Sequence, residues 1–197
     1  MNLRHIIISA LCAAFIVIGS YISFAIGPVP ITMQTAFVLL AGILAGKGVA
    51  STAVAIYIAL GAIGVPVFSA GSGGFAHLTG PTGGFLISYL VAGPVTGFLA
   101  DRGFRNEREF QQTTKKQLWW IVLAAVVGTL IFFIIGVPYL KMILTVSWTQ
   151  ALVIGVLPFI AGDLLKLLVV VILGNMFAPS VRSFIASEVV DEKPNDS

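Results

Sequence analysis

The 197-residue chain is 58% hydrophobic and only 10% charged, with a mean hydropathy of +1.04, whereas a soluble domain carries about 25% charged residues. That composition excludes a water-soluble globular protein and defines an integral membrane protein, and the length is that of a single domain. The net charge of +3 reflects unequal loops and implies no nucleic-acid partner.

Six apolar stretches follow one another along the chain, at 6–26, 31–46, 49–65, 85–100, 118–137 and 151–177. A membrane-spanning helix needs ~20 residues, so the second and fourth must borrow flanking residues and the sixth is long enough to tilt or bend. The expectation is an all-α membrane protein with six transmembrane helices. No stretch alternates as a membrane strand would, which argues against a β-barrel. The first stretch, with Arg4 at its charged end, is too long for a signal peptide and is read as a retained helix.

Glycine followed by proline closes each outward-going stretch, at Gly27-Pro28, Gly64-Val65-Pro66 and Gly136-Val137-Pro138. Glycine supplies a left-handed stop and proline prevents continuation. Segments 28–35 and 67–84 then carry no charge, and the second is rich in glycine. A solvated loop would be more polar. Irregular backbone at membrane depth is tolerated where it lines a cavity, so these segments predict a lid and a wall over an outward-facing pocket.

The sixth stretch holds Asp163 and Lys166. Each charge costs roughly 2.5–3.5 kcal/mol at a membrane helix centre, and the i, i+3 spacing puts both on one face, where they partly neutralise each other. Two readings stand on the residues alone: a clamp between helices, or a pair that holds a polar ligand. Pro158 frees the carbonyl of Ile154 and predicts a bend just before the pair.

Ala10 and Ala14, with Ser9 and Ala13 beside them, form a small-residue stripe on the first helix; Gly42/Gly46 and Gly93/Gly97 do the same on the second and fourth. Such faces let helices approach closely, and internal packing is the reading for the glycine pairs.

With the N-terminus inside, nine of the eleven basic residues (Arg4, Lys47, Arg102, Arg105, Arg108, Lys115, Lys116, Arg182 and Lys193) fall on the cytoplasmic side and only Lys141 outside. The positive-inside rule then puts both termini in the cytoplasm. The basic segment 101–117 is a stop to translocation and a contact for anionic lipid in the bilayer. Trp119, Trp120 and Trp148 are placed as interfacial anchors.

Several chemistries are disfavoured. Gly42 to Gly48 lacks the spacing and the Ser/Thr of a phosphate-binding loop. Ser72 and His77 have no convincing orienting carboxylate for a hydrolase, so no catalytic residue is assigned. His5 and His77 fall at opposite membrane faces and Cys12 has no co-ligand, so no metal site is expected. Cys12 is the single cysteine, so no intramolecular disulfide is expected.

Four strings occur in register: Gly27-Pro28-Val29-Pro30-Ile31-Thr32-Met33-Gln34-Thr35, Gly64-Val65-Pro66-Val67-Phe68, Gly80-Pro81-Thr82-Gly83-Gly84-Phe85 and Gly162-Asp163-Leu164-Leu165-Lys166. Over about residues 5–178 the chain resembles the BioY family, the biotin-specific substrate-binding (S) components of energy-coupling factor (ECF) transporters. The resemblance implies the six-helix S-component fold and high-affinity biotin uptake from outside, with no catalysis and no cofactor in this chain. It also implies a transmembrane coupling protein and two cytoplasmic ATPases as partners, in a bacterial or archaeal plasma membrane. By the same resemblance Asp163, Lys166, Gln34, Met33, Ser72, Gly73, Gly74 and Thr82 are the expected biotin contacts, Lys166 meeting either the ureido carbonyl or the carboxylate. Ser72 stands where relatives carry a larger amide. Ala10 and Ala14 are expected to meet the coupling protein. Residues 1–178 form the binding domain, and 179–197 are expected to be a disordered cytoplasmic tail. The alternative is a self-sufficient secondary carrier for biotin or another small carboxylate, with the Asp163–Lys166 pair coupled to protons.

Overall fold

A computed structural model of the chain describes residues 3–24, 27–104 and 114–191. Its helices are α1 Leu3–Tyr21, α2 Gln34–Ala62, α3 Phe75–Leu78, α4 Gly83–Asp101, α5 Lys115–Leu144, α6 Trp148–Gly155 and α7 Ile160–Asp191. Two short strands, β1 Ser23–Phe24 and β2 Ile31–Thr32, pair antiparallel between α1 and α2.

The second and third expected helices are the two limbs of α2. Gly46 breaks it at φ 81°, ψ 176°, a backbone region open in practice only to glycine. The limbs 34–45 and 47–62 fold back on each other. The Gln34 amide donates to the Tyr57 hydroxyl, 23 positions on, and the break lies midway between them. Gly93 of α4 lies against Val38 from one limb and Val54 from the other. Among the described residues, five continuous runs are long and apolar enough to cross a membrane; with α2 crossing twice, these make the six passes expected.

The α2 hairpin is the centre of the bundle, with 67% of its most apolar window buried, against 28% for α1 and 22% for the run Trp148–Ser187. The outer helices therefore present their apolar side chains to lipid. The glycine pairs pack inside, as expected: a Cβ on Gly42 would meet the backbone of Gly97 at 2.7 Å and of Gly93 at 2.8 Å. The alanine stripe is divided. Ser9 and Ala13 are buried against the bundle, whereas Ala10 and Ala14 are exposed.

Helix ends depart from expectation in three places. α1 stops at Tyr21, not 26, because β1 and β2 pair there; Gly27, at φ 84°, belongs to the turn of that hairpin. At the third stop α5 runs through Gly136 and Pro138 to Leu144. Gly136 serves packing instead, since a Cβ there would strike the Phe85 ring at 2.5 Å. The sixth stretch is broken as Pro158 suggested: α6 ends at Gly155, a 3-10 turn covers Leu157–Phe159, and α7 begins at Ile160. α7 then continues to Asp191, beyond the boundary drawn at 178. The second stop is as expected. Gly64, at φ 101°, follows α2, with Val65 N–H bonded to Leu60 O and Gly64 N–H to Gly61 O, the pair of bonds of a Schellman motif.

Lys47, Arg102, Lys115 and Arg182 gather at the end of the bundle where Gly46 and the C-terminus of α4 meet. Arg4 joins them through the Phe184 carbonyl at 2.9 Å. Arg105, Arg108 and Lys193 lie outside the described residues.

Candidate ligand-binding site

At the opposite end, the starts of α2, α4 and α7 and the outer half of α5 surround a cavity of about 500 Å³, counting its open mouth. Three segments close it. The stretch Val29–Pro30 leads into β2, the glycine segment contributes Ser69 and His77, and the 3-10 turn contributes Phe159. Segments 28–35 and 67–84 thus form the lid and wall that their lack of charge suggested.

Asp163 lies in the first turn of α7, where the unpaired N–H groups of the helix favour a negative charge. The break at Pro158 is what places a helix start here, inside the bundle. The Lys166 Nζ donates to Asp163 Oδ1 at 2.8 Å and to Thr35 Oγ1 at 3.3 Å. The side chains are 9% and 13% exposed for Lys166 and Asp163. Both line the cavity. An ammonium has three N–H donors and a carboxylate about four acceptor positions, so each partner keeps capacity for a ligand. The pair is therefore a half-satisfied buried ion pair facing open space.

Gln34 lines the cavity as expected but is only 3% exposed, and its amide is largely used. Its Oε1 accepts from Thr32 Oγ1 at 3.1 Å and from Tyr89 OH at 3.3 Å, and its Nε2 donates to Tyr57 OH. This network orders the hydroxyls of Thr32 and Tyr89, which also line the cavity.

An aromatic wall completes the enclosure. Phe85 and Phe159 stack at 6.2 Å between ring centres, Phe133 meets Phe159 edge-on at 6.5 Å, and Tyr89 meets Phe132 edge-on at 5.3 Å. Edge-on and offset arrangements are those that aromatic quadrupoles favour. The rings come from α4, α5 and the 3-10 turn, so no local pattern announces them.

On the loop side, Thr82 lines the cavity as expected, beside His77. His77 Nδ1 lies 3.2 Å from Ser72 Oγ and its Nε2 3.1 Å from Thr82 Oγ1. Its ring stacks on Phe68 at 5.2 Å. Burial lowers the affinity of the imidazole for a proton, as expected when a charge is removed from water.

Four expected contacts stand back from the cavity lining. Ser72 is spent on His77 and on Ser69 O, to which its hydroxyl donates at 2.6 Å. Gly73 packs against the Val65 carbonyl, where no Cβ fits, and Gly74, at φ 94°, opens α3. Met33 lies on the far side of β2, in an apolar lateral groove shared with Phe24, Leu165 and Val169. Sequence reasoning missed His77 as a pocket residue and missed Tyr89, Phe132 and Phe159. The one available signal for His77 was an imidazole inside an uncharged loop. Among the described residues no group of three or more His, Cys, Asp or Glu is placed to hold a metal.

A half-satisfied ion pair, a hydroxyl network and an aromatic wall, enclosed between membrane helices, define a multi-pass membrane protein that binds a small polar molecule. The BioY family model matches residues 1–183, and the chain belongs to the BioY family. It is 37% identical over 175 residues to a probable biotin transporter BioY of Pyrococcus horikoshii, covering 89% of this chain and 96% of that protein. It is 36% identical over 167 residues to the biotin transporter BioY of Thermotoga maritima, covering 85% and 91%. Its fold is similar to the crystal structure of the S-component for biotin from an ECF-type ABC transporter, with a TM-score of 0.75 and 27% identity over 89% of this chain and 93% of the other.

Proposed function

We propose that this chain binds biotin from outside the cell and serves its uptake as the S component of an ECF-type ABC transporter. The observation that carries the reading is the Asp163–Lys166 pair at 2.8 Å, turned to an aromatic-walled cavity. An acceptor and a donor side by side match the adjacent N–H and C=O on one edge of a urea. Asp163 accepts from a ureido N–H and Lys166 donates to the ureido carbonyl. Phe85, Phe132 and Phe159 cover the apolar thiophane ring, and the hydroxyls of Thr32 and Tyr89 supply further polar contacts. Ser72, Gly73 and Gly74 act behind the lining, and Gln34 acts by holding Thr32 and Tyr89. Met33 supports β2 from the groove side.

Release inward is driven by a transmembrane coupling protein with two cytoplasmic ATPase subunits. The exposed Ala10 and Ala14 form a smooth face for the coupling protein, since small residues permit close helix contact. The chain lies in the plasma membrane with both termini in the cytoplasm. The basic cluster at the end opposite the cavity supports that orientation.

Calorimetry of the purified chain against biotin, riboflavin and thiamine tests the reading. Tight binding of biotin alone is expected, and absence of biotin binding overturns it. In proteoliposomes the chain alone is expected to bind without accumulating biotin. Accumulation driven by a proton gradient would establish the secondary carrier instead.

A further inference from the structure

The hydroxyl of Ser72 donates to the Ser69 carbonyl at 2.6 Å, which uses its only hydrogen. At 3.2 Å from His77 Nδ1 the Ser72 oxygen is therefore the acceptor, and Nδ1 carries the imidazole proton. In a neutral ring Nε2 is then an acceptor, and it takes the hydroxyl hydrogen of Thr82 at 3.1 Å. A single chain of hydrogen bonds, from Thr82 through His77 and Ser72 to a backbone carbonyl, thus fixes the direction of the Thr82 hydroxyl, which lines the loop side of the cavity together with Ser69. With its hydrogen turned to His77, Thr82 offers the cavity lone pairs only.

We propose that His77 sets the hydrogen-bonding polarity of the cavity's loop side: with Nδ1–H alone it makes Thr82 an acceptor for a ligand N–H, and with Nε2 protonated it turns Thr82 into a donor and weakens binding. The proposal rests on the biotin reading, in which the ligand N–H is the ureido N–H away from Asp163. The groups against His77 are the hydroxyls of Ser72 and Thr82 and the Phe68 ring. The charged groups in the same cavity, Asp163 and Lys166 from α7, are bonded to each other, and α4 contributes the phenol of Tyr89. From α5, Tyr139 OH donates to the Leu78 carbonyl beside the histidine. His77 is thus the imidazole among these groups. Burial disfavours its charged form, so the acceptor state holds at neutral pH. A ligand that selects the uncharged ring must bind less tightly as pH falls through the pKa of the free protein.

Nitrogen NMR of the full chain, with His5 replaced by Gln to leave one imidazole, is expected to show His77 as the Nδ1–H tautomer near pH 7.5. An Nε2–H tautomer overturns the proposal. Biotin affinity of the wild type, measured from pH 8 down through the His77 pKa that the same NMR titration reads, is expected to fall about three- to tenfold, the loss of one hydrogen bond. A flat profile overturns it, whereas failure to bind biotin at any pH overturns the transport reading itself. His77→Gln is expected to abolish the step, and a step of unchanged size in that variant also overturns the proposal. Ser72→Ala removes the acceptor that holds the proton on Nδ1. It is expected to shift the ring toward Nε2–H and to lower affinity at pH 7.5, as acid does in the wild type. A shifted tautomer with unchanged affinity, or an unshifted tautomer, would leave the relay without its mechanism.

Discussion

Arg182 and Asp101, 81 positions apart, meet at 2.7 Å on the side of the bundle away from the ligand cavity. Each also serves one limb of the α2 hairpin. Arg182 donates to the carbonyls of Gly42, at 3.3 Å, and Ile43, at 2.9 Å, at the closing end of the first limb. Asp101 Oδ2 accepts from the Lys47 N–H at 3.4 Å, at the opening of the second. The charges thus have the signs that the two helix ends favour. Arg182→Ala is expected to lower stability by about 2–3 kcal/mol, below the ~3–5 kcal/mol of a fully buried pair because Asp101 keeps solvent contact. Thermal unfolding in detergent measures it. A melting temperature equal to that of the wild type removes the clamp from the account.

Asp163→Asn keeps the shape of the side chain but loses its charge and half its acceptor capacity. Biotin affinity is expected to fall by about 1.5–3 kcal/mol, as for hydrogen bonds to a charged group. An unchanged dissociation constant in a folded variant would refute the ligand role and return the pair to a clamp between helices.

Phe159 is held by Phe85 and Phe133 on a turn that exists because Pro158 interrupts the run. Phe159→Ala is expected to weaken biotin binding by about 1–2 kcal/mol through lost apolar contact. Pro158→Ala should do so less, through displacement of the ring. Calorimetry distinguishes the two, and a larger effect of the proline variant would contradict the direct contact.

Ala10→Trp and Ala14→Trp are each expected to prevent assembly with the coupling protein and ATPases while biotin binding survives. Co-purification with the complete transporter reads the first property and calorimetry the second. Loss of both together would mean that this face serves folding.

The orientation has its own test. In a Cys12→Ser background, cysteine at Thr145 is expected to react with a membrane-impermeant maleimide added to intact cells, and cysteine at Lys115 only after lysis. The reverse pattern would invert the protein in the membrane and close the cavity to the exterior.

Much of this was legible in the amino-acid order. Charges stand out in a chain this apolar, so Asp163 and Lys166 were visible as a site, and the uncharged segments around residues 30 and 75 as its enclosure. Gly64 was readable as a stop because no side-chain packing competes for it. Gly136 and Pro138 misled because the same residues also serve close packing within a continuing helix, where a membrane helix tolerates proline. The β1–β2 pair is too short for periodicity to register. Phe85, Phe132 and Phe159 converge only in three dimensions, and the place of His77 depends on two hydroxyls five positions away on either side. Gly73 and Gly74 looked like ligand-approaching backbone; Gly73 packs against the Val65 carbonyl, where no Cβ fits, and Gly74, at φ 94°, turns the loop into α3.

The fold-back at Gly46 makes chain length itself a constraint. Gln34 reaches Tyr57 only because each limb contributes a fixed number of turns from their common base. One residue inserted into either limb would rotate everything beyond it by about 100°, carrying the amide away from the phenol and Thr32 away from the cavity. Tolerance for insertions therefore belongs to the connections outside residues 34–57, and this hairpin acts as the ruler against which the rest of the bundle is aligned.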